Sequence, residues 1–552
     1  MPTIPAAPTT SAAPDARAAH YRELGWWRPE LLNELVLRHA ERLADRIAVV
    51  AGQRRVTYRD LAGSVRACAA RLRGLGLQPE DRVVLQLPNG LDLLVLALGL
   101  MRARCVPVLV LPTFREHELG HLLATLRPVA MAVAHHSYRF DHLALVRKLR
   151  ADHDCLQWTI VVDPVPGALD GDAGELDTQT LYQAAGPVGP RAKPWDTALL
   201  MLSSGTTGQA KAIPRSHEAL ASVMRHSAAV SAFGEDTVFL AQLPATHSFT
   251  FAHPGILGTL AHGGRVVFGA GQDPRTAFGL IELEGVTHTA LVPTVAEQWV
   301  RHRLSDPRDL SSLRVLQVGG ARLGPEPATA VERGLGCRVQ QVYGMSEGFL
   351  AFTRLDDPDD VVRHTQGRPI APGDEVRIVD AAGRPVTPGA TGELWTRGPS
   401  TIPGYLAPPE VNRAVFGDDG FYRTGDLVRM SESGNLIVVG RVKDVINRAG
   451  EKIAADDIED ALRAHPEVAA AAVVAMPHPD YGEAVCAVVV GRNAAAPSLR
   501  SVRTLLEQRG FARYKLPERV ELVDTLPLTG VGKVDKVRLR RTVADRLAAE
   551  RG

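Results

Sequence analysis

Leu199–Lys211 reads LLMLSSGTTGQAK. An apolar strand-length run leads into consecutive small residues, Ser203, Ser204, Gly205, Thr206, Thr207 and Gly208, and Lys211 follows. Glycines let backbone N–H groups face an anion, the hydroxyls add donors and the lysine adds charge, so the stretch is built to cradle phosphate. It is not a Walker A loop, because Gly208 is followed by Gln209 where that motif needs Lys and then Ser or Thr. Taken alone, a flexible polar loop remains the competing reading.

Outward from this loop, strand-like and helix-like stretches alternate. Ile47–Val50, Val56–Tyr58, Asp81–Leu87, Val106–Leu111, Thr159–Val162, Val266–Phe268, Thr289–Val292 and Arg314–Val318 have strand character; Leu31–Arg42, Leu91–Ala103 and Glu116–Leu126 have helical spacing. Such alternation predicts α/β layers with largely parallel sheets. Beyond them the texture changes. Glu375–Val379 and Gly392–Arg397 are short alternating strands between Gly/Pro turns, which predicts a distorted β-barrel piece. After Gly440 a small α+β pattern restarts: helix Ala455–Ala464, strands Val468–Met476 and Ala484–Val490, helix Ser498–Arg509. The 552 residues exceed one ordinary core, so several domains are expected. Their expected limits are a disordered Ala/Pro/Thr-rich tail over 1–20, a large domain over 21–440 and a small one over 441–552.

Composition narrows the class. Hydrophobic residues at 45% and charged residues at 23% fit a globular protein, and a net charge of +1 gives no footprint for nucleic acid or an anionic membrane. The basic cluster Arg538, Arg540 and Arg541 is expected on a solvated helix face. Five cysteines, with neither a CxxC pair nor metal-ligand spacing, point to small core residues in a reducing cytoplasm. The first residues lack the basic start and apolar stretch of a signal peptide, and runs such as Leu93–Leu100 are too short to span a bilayer.

Four further motifs follow the loop. Val339–Gly348 (VQQVYGMSEG) places Glu347 beside a glycine turn, and a single acid near phosphates suits Mg²⁺. Tyr422–Asp426 (YRTGD), Gly440–Asp444 (GRVKD) and Leu526–Lys536 (LPLTGVGKVDK, containing Lys533) come after it. Each alone is an ordinary polar turn. In this order, from about Tyr21 to the end, the chain resembles the adenylate-forming superfamily of acyl-CoA synthetases, luciferases and peptide-synthetase adenylation domains. Within it, YRELGWW (21–27), QVGGA (317–321), VYGMSEGFLAFT (342–353), HTQGRP (364–369) and KDVINRAGEKIAA (443–455) are most similar to stand-alone aryl-acid AMP ligases that load carrier proteins.

The resemblance implies a large domain of two α/β subdomains plus the barrel, and a small mobile C-terminal domain turning about Lys443. It implies ATP and Mg²⁺, with Ser203–Gly208 and Lys211 on the β/γ-phosphates and Glu347 on the metal. Gly320, Ala321, Val342 and Tyr343 would form the adenine slot and Gly344 would belong to the ATP site, Asp426 would meet the ribose, Arg441 would assist at the ribose or phosphates, and Lys533 would reach the reacting carboxylate and α-phosphate. His247, Ser248, Phe249, His253, Gly319, Leu350 and Ala351 would form the acid pocket, with His247 at its mouth. Gly450 would line the path of a pantetheine arm. The chain departs from the 2-hydroxybenzoate ligases at Ser248, where they carry Asn, at Phe249, where they carry Tyr, and at His253, where a small residue is usual. That implies an aromatic acid, with salicylate, 2,3-dihydroxybenzoate and 3-hydroxyanthranilate in view, in siderophore or other nonribosomal synthesis. The thiol acceptor is a carrier protein or coenzyme A. An amino-acid adenylation domain is disfavoured because Thr246–Thr250 holds no carboxylate. An inactive nucleotide-binding protein is the alternative of another class.

Overall fold

The computed structural model describes residues 16–183, 186–203, 210–271, 273–448, 451–492, 495, 497–509, 511, 513–530 and 532–551. The chain forms two compact units. One holds the described residues through Val362 together with Arg368–Glu375 and Arg397–Phe421; the other holds Arg363–Gly367, Val376–Thr396 and the chain from Tyr422 on.

The first unit is α/β, as the alternation predicts. Its central strands, such as residues 83–85, Ala130–Ala134 and Val315–Gly319, are short, mostly apolar runs with both faces covered, which favours parallel pairing with helices packed alongside. One sheet runs Ala212–Ser216, Thr197–Leu202, Val106–Leu109, Arg82–Gln86, Ala130–Ala134, Trp158–Val162, Glu175–Asp177. It is parallel except at Thr197–Leu202 and Ala212–Ser216. The other runs Arg368–Pro369, Leu350–Phe352, Arg338–Gly344, Val315–Gly319, His288–Leu291, Val238–Ala241, Arg265–Phe268, Ile47–Ala51, Arg54–Thr57. Antiparallel pairs flank its parallel centre.

Three local expectations need correction. Helix begins at Ala16, so 16–20 is helical rather than part of a disordered tail; residues 1–15 lie outside the described ones. The helix expected over Leu31–Arg42 is Leu32–Leu37, because Arg38 and His39 both turn to the Ala261 carbonyl. Tyr58 opens a helix, Tyr58–Gly74, instead of closing a strand; Thr57 caps it, its hydroxyl accepting the Asp60 N–H at 3.1 Å. All five cysteines are free, four are buried, and burial raises their thiols, as small core residues should behave.

In the second unit the expected strands Glu375–Val379 and Gly392–Arg397 join Tyr422–Met430 and Leu436–Arg441 in a four-stranded sheet. A five-stranded sheet follows, with Val468–His478 paired antiparallel to Gly482–Gly491 along its length. Helices Ala455–Leu462 and Leu499–Gln508 bury Ile458, Leu462, Val502 and Leu506 in one core with Val473, Val485 and Val489. The second compact unit also takes in residues before Gly440, Arg363–Gly367, Val376–Thr396 and Tyr422 onward. Leu436–Arg441 runs straight into the 3-10 turn Val442–Asp444, and the helix beginning at Ala455 brings Asp456 beside Gly440. Among the described residues no helix is long and apolar enough to cross a membrane.

Candidate active site

The phosphate-type loop sits on a hairpin. Leu202 pairs with Ala212, the Ser203 N–H donates to the Lys211 carbonyl at 3.0 Å, and the Lys211 N–H donates to the Ser203 hydroxyl at 2.9 Å. Both loop ends are therefore pinned, and the chain returns as a strand where a Walker A loop would enter a helix. Ser204, Gly205, Thr206, Thr207 and Gly208 lie outside the described residues.

Lys211 Nζ lies 4.8 Å from the ring centre of Tyr405, and the Tyr405 hydroxyl donates to Glu347 Oε1 at 2.6 Å. One phenol thus links the loop lysine to the carboxylate expected to hold metal. Glu347 is 7% exposed, and its carbonyl accepts the Ile402 N–H at 2.8 Å. Tyr405 was not singled out in the sequence. Its weak signal was a Pro-Gly-Tyr turn at 403–405, fixed in the fold by Asn412, which bonds both the Tyr405 N–H and its carbonyl.

Behind Glu347 lies Arg215, 1% exposed, whose Nη1 donates to the Ser400 carbonyl at 2.9 Å. Burial pulls its guanidinium down to about 10, against the pull of Glu347 and Asp374. The Asp374 carboxylate accepts the Ser400 hydroxyl at 2.8 Å, and its low-polarity surroundings push it up to about 7. A Cβ on Gly348 would fall 1.6 Å from the Ser400 oxygen and 2.4 Å from Arg215 Nη1, and φ there is +124°, so this turn closes only on glycine.

The expected acid-pocket residues largely converge. His247 caps the short helix Ser248–Ala252, its Nδ1 accepting the Phe249 N–H at 3.3 Å, which leaves the ring proton on Nε2 in the neutral form. Phe249 lies against Gly319, where an added Cβ would sit 3.1 Å from its ring and 3.0 Å from the Val342 carbonyl. The ring thus meets the carboxyl ends of Val315–Gly319 and Arg338–Gly344, the strand ends where open α/β sheets bind ligands. Gly320, with φ +85°, and Ala321 are exposed just beyond. Ser248 Oγ lies 2.9 Å from Ser346 Oγ, a partner the sequence did not announce. His253 is 2% exposed with no hydrogen-bond partner for Nε2 among the described residues; burial, then Arg215 and His247, hold it well below the usual imidazole range and so neutral.

Leu350 and Ala351 are both buried, but as successive strand residues they point to opposite faces. Leu350 lies against Gly344, whereas Ala351 pairs with Tyr343, so the two do not line one wall together.

The remaining expected residues belong to the second unit. Asp426 and Arg441 are register partners, 2.9 Å apart through Oδ1 and Nε, and the Thr424 hydroxyl accepts the Asp426 N–H. Lys443 sits in the 3-10 turn Val442–Asp444. Lys533 lies in a turn closed by Thr529, whose N–H donates to the Lys533 carbonyl at 2.7 Å. Gly450 lies outside the described residues. Arg538 and Arg541 are exposed as expected, but Arg540 instead pairs with Asp444.

One other cluster, His135, His136 and Asp141, brings ligand-type atoms within 4.8 Å of one another. His135 Nδ1 already accepts the Val165 N–H at 2.9 Å, so binding through its other nitrogen would demand an imidazolate, and the trio makes a poor metal centre.

Comparison with known proteins agrees with this layout. Residues 36–406 match the family model described as AMP-binding enzyme, and 457–533 match the AMP-binding enzyme C-terminal domain. A salicylyl-CoA synthase / salicylate adenylyltransferase of Streptomyces is 46% identical, covering 96% of this chain and 97% of its own length. The 2,3-dihydroxybenzoate-AMP ligase of Bacillus subtilis is 42% identical over 97% of this chain and 98% of its own. Among solved structures, apo MbtA of Mycobacterium smegmatis matches with a TM-score of 0.73 at 42% identity, over 96% of this chain and 98% of that one.

Proposed function

This chain belongs to the AMP-binding enzyme family, and on that premise we propose that it activates an aromatic carboxylic acid as its acyl-adenylate, releases pyrophosphate, and passes the acyl group to a thiol. The observation that carries the proposal is the line Lys211–Tyr405–Glu347, with the Phe249–Gly319 wall formed in the same unit. The first step needs no protein nucleophile. A carboxylate attacks the α-phosphorus of ATP, so the protein must bring two anions together and neutralise them. Lys211 and the Ser203–Gly208 loop hold the β/γ-phosphates. Glu347 fits Mg²⁺: Tyr405 fixes one carboxylate oxygen and leaves the other for a hard cation that otherwise takes phosphate and water. The metal supplies charge neutralisation on the leaving pyrophosphate. Asp426, steadied by Arg441, accepts from the ribose hydroxyls, and Lys533 bridges carboxylate and α-phosphate. For the second step, the segment after Lys443 turns about that residue within a C-terminal domain, and Gly450 borders the thiol's path.

The acid is set by an unusual polar edge. The Ser248–Ser346 pair spends one donor and one acceptor internally, leaving a hydroxyl proton and lone pairs to meet a ring substituent. A neutral His253 adds a second polar atom nearby in sequence. Salicylate and 2,3-dihydroxybenzoate fit such an edge, and 3-hydroxyanthranilate fits at least as well, because a serine oxygen accepts from an ortho amine. The acceptor thiol is a carrier-protein phosphopantetheine in siderophore or related nonribosomal synthesis, in the cytoplasm. Coenzyme A is the second reading, favoured by the similarity to the salicylyl-CoA synthase of Streptomyces.

The test is mass-spectrometric detection of the acyl-adenylate across benzoic, picolinic, aminobenzoic and long aliphatic acids, followed by loading of coenzyme A against a phosphopantetheinylated carrier. An aryl-adenylate is expected, and preference for an aliphatic acid would overturn the proposal. Ser248→Asn should shift the ratio of specificity constants between salicylate and 3-hydroxyanthranilate toward salicylate. An unchanged ratio would remove Ser248 from the pocket.

A further inference from the structure

The turn that carries Lys533 is tied at its base as well as across its own backbone. Leu528 bridges Val534, the Gly532 N–H donates to the Thr529 carbonyl at 2.9 Å, and the Asp535 N–H donates to the Pro527 carbonyl at 2.8 Å. Three residues after Lys533, helix Lys536–Arg551 begins, and the Lys536 side chain is only 16% exposed. Its Nζ lies 2.8 Å from Asp456 Oδ1 and 2.9 Å from Glu459 Oε1, both on helix Ala455–Leu462. Glu459 is 8% exposed, and the same Oε1 accepts the Val473 N–H at 2.6 Å, so the clasp reaches strand Val468–His478.

A buried ammonium between two carboxylates is a weak device for net stability, because its desolvation cost rivals its Coulomb gain, but it fixes one arrangement among several. Burial and then Asp456 raise the Glu459 carboxyl, so loss of the lysine is absorbed by protonation there. The fold then keeps a neutral acid that still accepts from Val473, while the turn loses its anchor. The clasping helix starts directly after strand Glu451–Ala454, the segment expected beside the thiol route.

We propose that Lys536 is a positioning residue for adenylate formation: clasped by Asp456 and Glu459, it fixes the base of the turn that presents Lys533. This rests on Lys533 being the lysine of the first half-reaction. Displacement of a reacting group by about 1 Å costs roughly a hundredfold, so a slack turn should act on the step that uses Lys533 and leave the other alone.

The experiment uses the full chain with Lys536→Met, Lys536→Arg and the double variant Lys536→Met/Glu459→Gln, which removes the two more buried charges of the clasp and leaves the part-exposed Asp456, should the single variant fail to fold. Acid-dependent ATP–pyrophosphate exchange and thiol acylation from a preformed acyl-adenylate are measured separately, with thermal unfolding alongside. Exchange should fall roughly tenfold or more in Lys536→Met and in the double variant, acylation should change less than about twofold, and Lys536→Arg should restore most of the exchange. Equal losses in both half-reactions, or no loss of exchange while Lys533→Ala abolishes it, would overturn the positioning role. Unimpaired exchange in Lys533→Ala would instead remove the premise, and the proposal with it.

Discussion

At the scale of single residues, Tyr405 tests the metal side of the site most cleanly. Tyr405→Phe keeps the ring under Lys211 and removes the bond to Glu347. A hydrogen bond to a charged group contributes about 1.5–3 kcal/mol, so exchange at limiting Mg²⁺ should fall roughly ten- to hundredfold and partly recover as Mg²⁺ is raised. An unchanged Mg²⁺ dependence would detach Tyr405 from the metal. Two histidines predict the acid behaviour. His217 and His288, 1% and 2% exposed, are pushed by burial down to about 4 from 6.5. The unfolded chain therefore binds more protons between these values, and stability is present above about pH 6.5 and lost as pH falls toward 4. Each imidazole contributes at most on the order of 3 kcal/mol to that fall. Urea midpoints at pH 7 and pH 5 should differ, and His217→Asn should narrow the difference. Glu347, Lys211, Asp426 and Lys533 were singled out in the sequence because each lies by a small-residue turn that has no other evident use. Tyr405 and Ser346 were not, since a tyrosine and a serine become specific only through their partners across the fold.

Among elements, the strands read well and the turns decided the surprises. Continuous apolar runs such as Ala130–Ala134 announce buried strands, and Glu375–Val379 and Gly392–Arg397 were placed to the residue. Helix Tyr58–Gly74 was missed because Val56–Tyr58 reads as β-branched and aromatic, while the cap at Thr57 outweighs that propensity. The shortened helix after Leu31 shows the reverse, a helical pattern ended by side-chain bonds to a distant carbonyl. The turn at Gly348 is the most constrained element near the site. Gly348→Ala needs both a left-handed backbone and a Cβ inside the Ser400 carbonyl. The cost should be on the order of 2 kcal/mol or more, visible as a lower unfolding midpoint together with weakened exchange. A variant as stable as the parent would mean that the turn rearranges freely.

For the whole molecule, the sequence announced the α/β large unit and the small terminal α+β region, but not which strands share a compact unit with the latter. Strands Tyr422–Met430 and Leu436–Arg441 pair with each other and run on into Val442–Asp444 within one compact unit, a continuity invisible to residue patterns. The proposed roles follow that division: Lys211, Glu347 and the residues proposed for the acid pocket belong to one unit, whereas Asp426, Arg441, Lys443 and Lys533 belong to the other. If one pocket serves two steps by motion at Lys443, then Lys443→Pro, which fixes φ, should slow acyl transfer far more than pyrophosphate exchange. The most direct measurement is to compare the two half-reactions in Lys533→Ala. Acid-dependent exchange should nearly vanish, since an uncompensated charge in the transition state costs several kcal/mol, while thioester formation from a preformed aryl-adenylate should be largely retained. Equal loss of both half-reactions would contradict a lysine that serves adenylation alone.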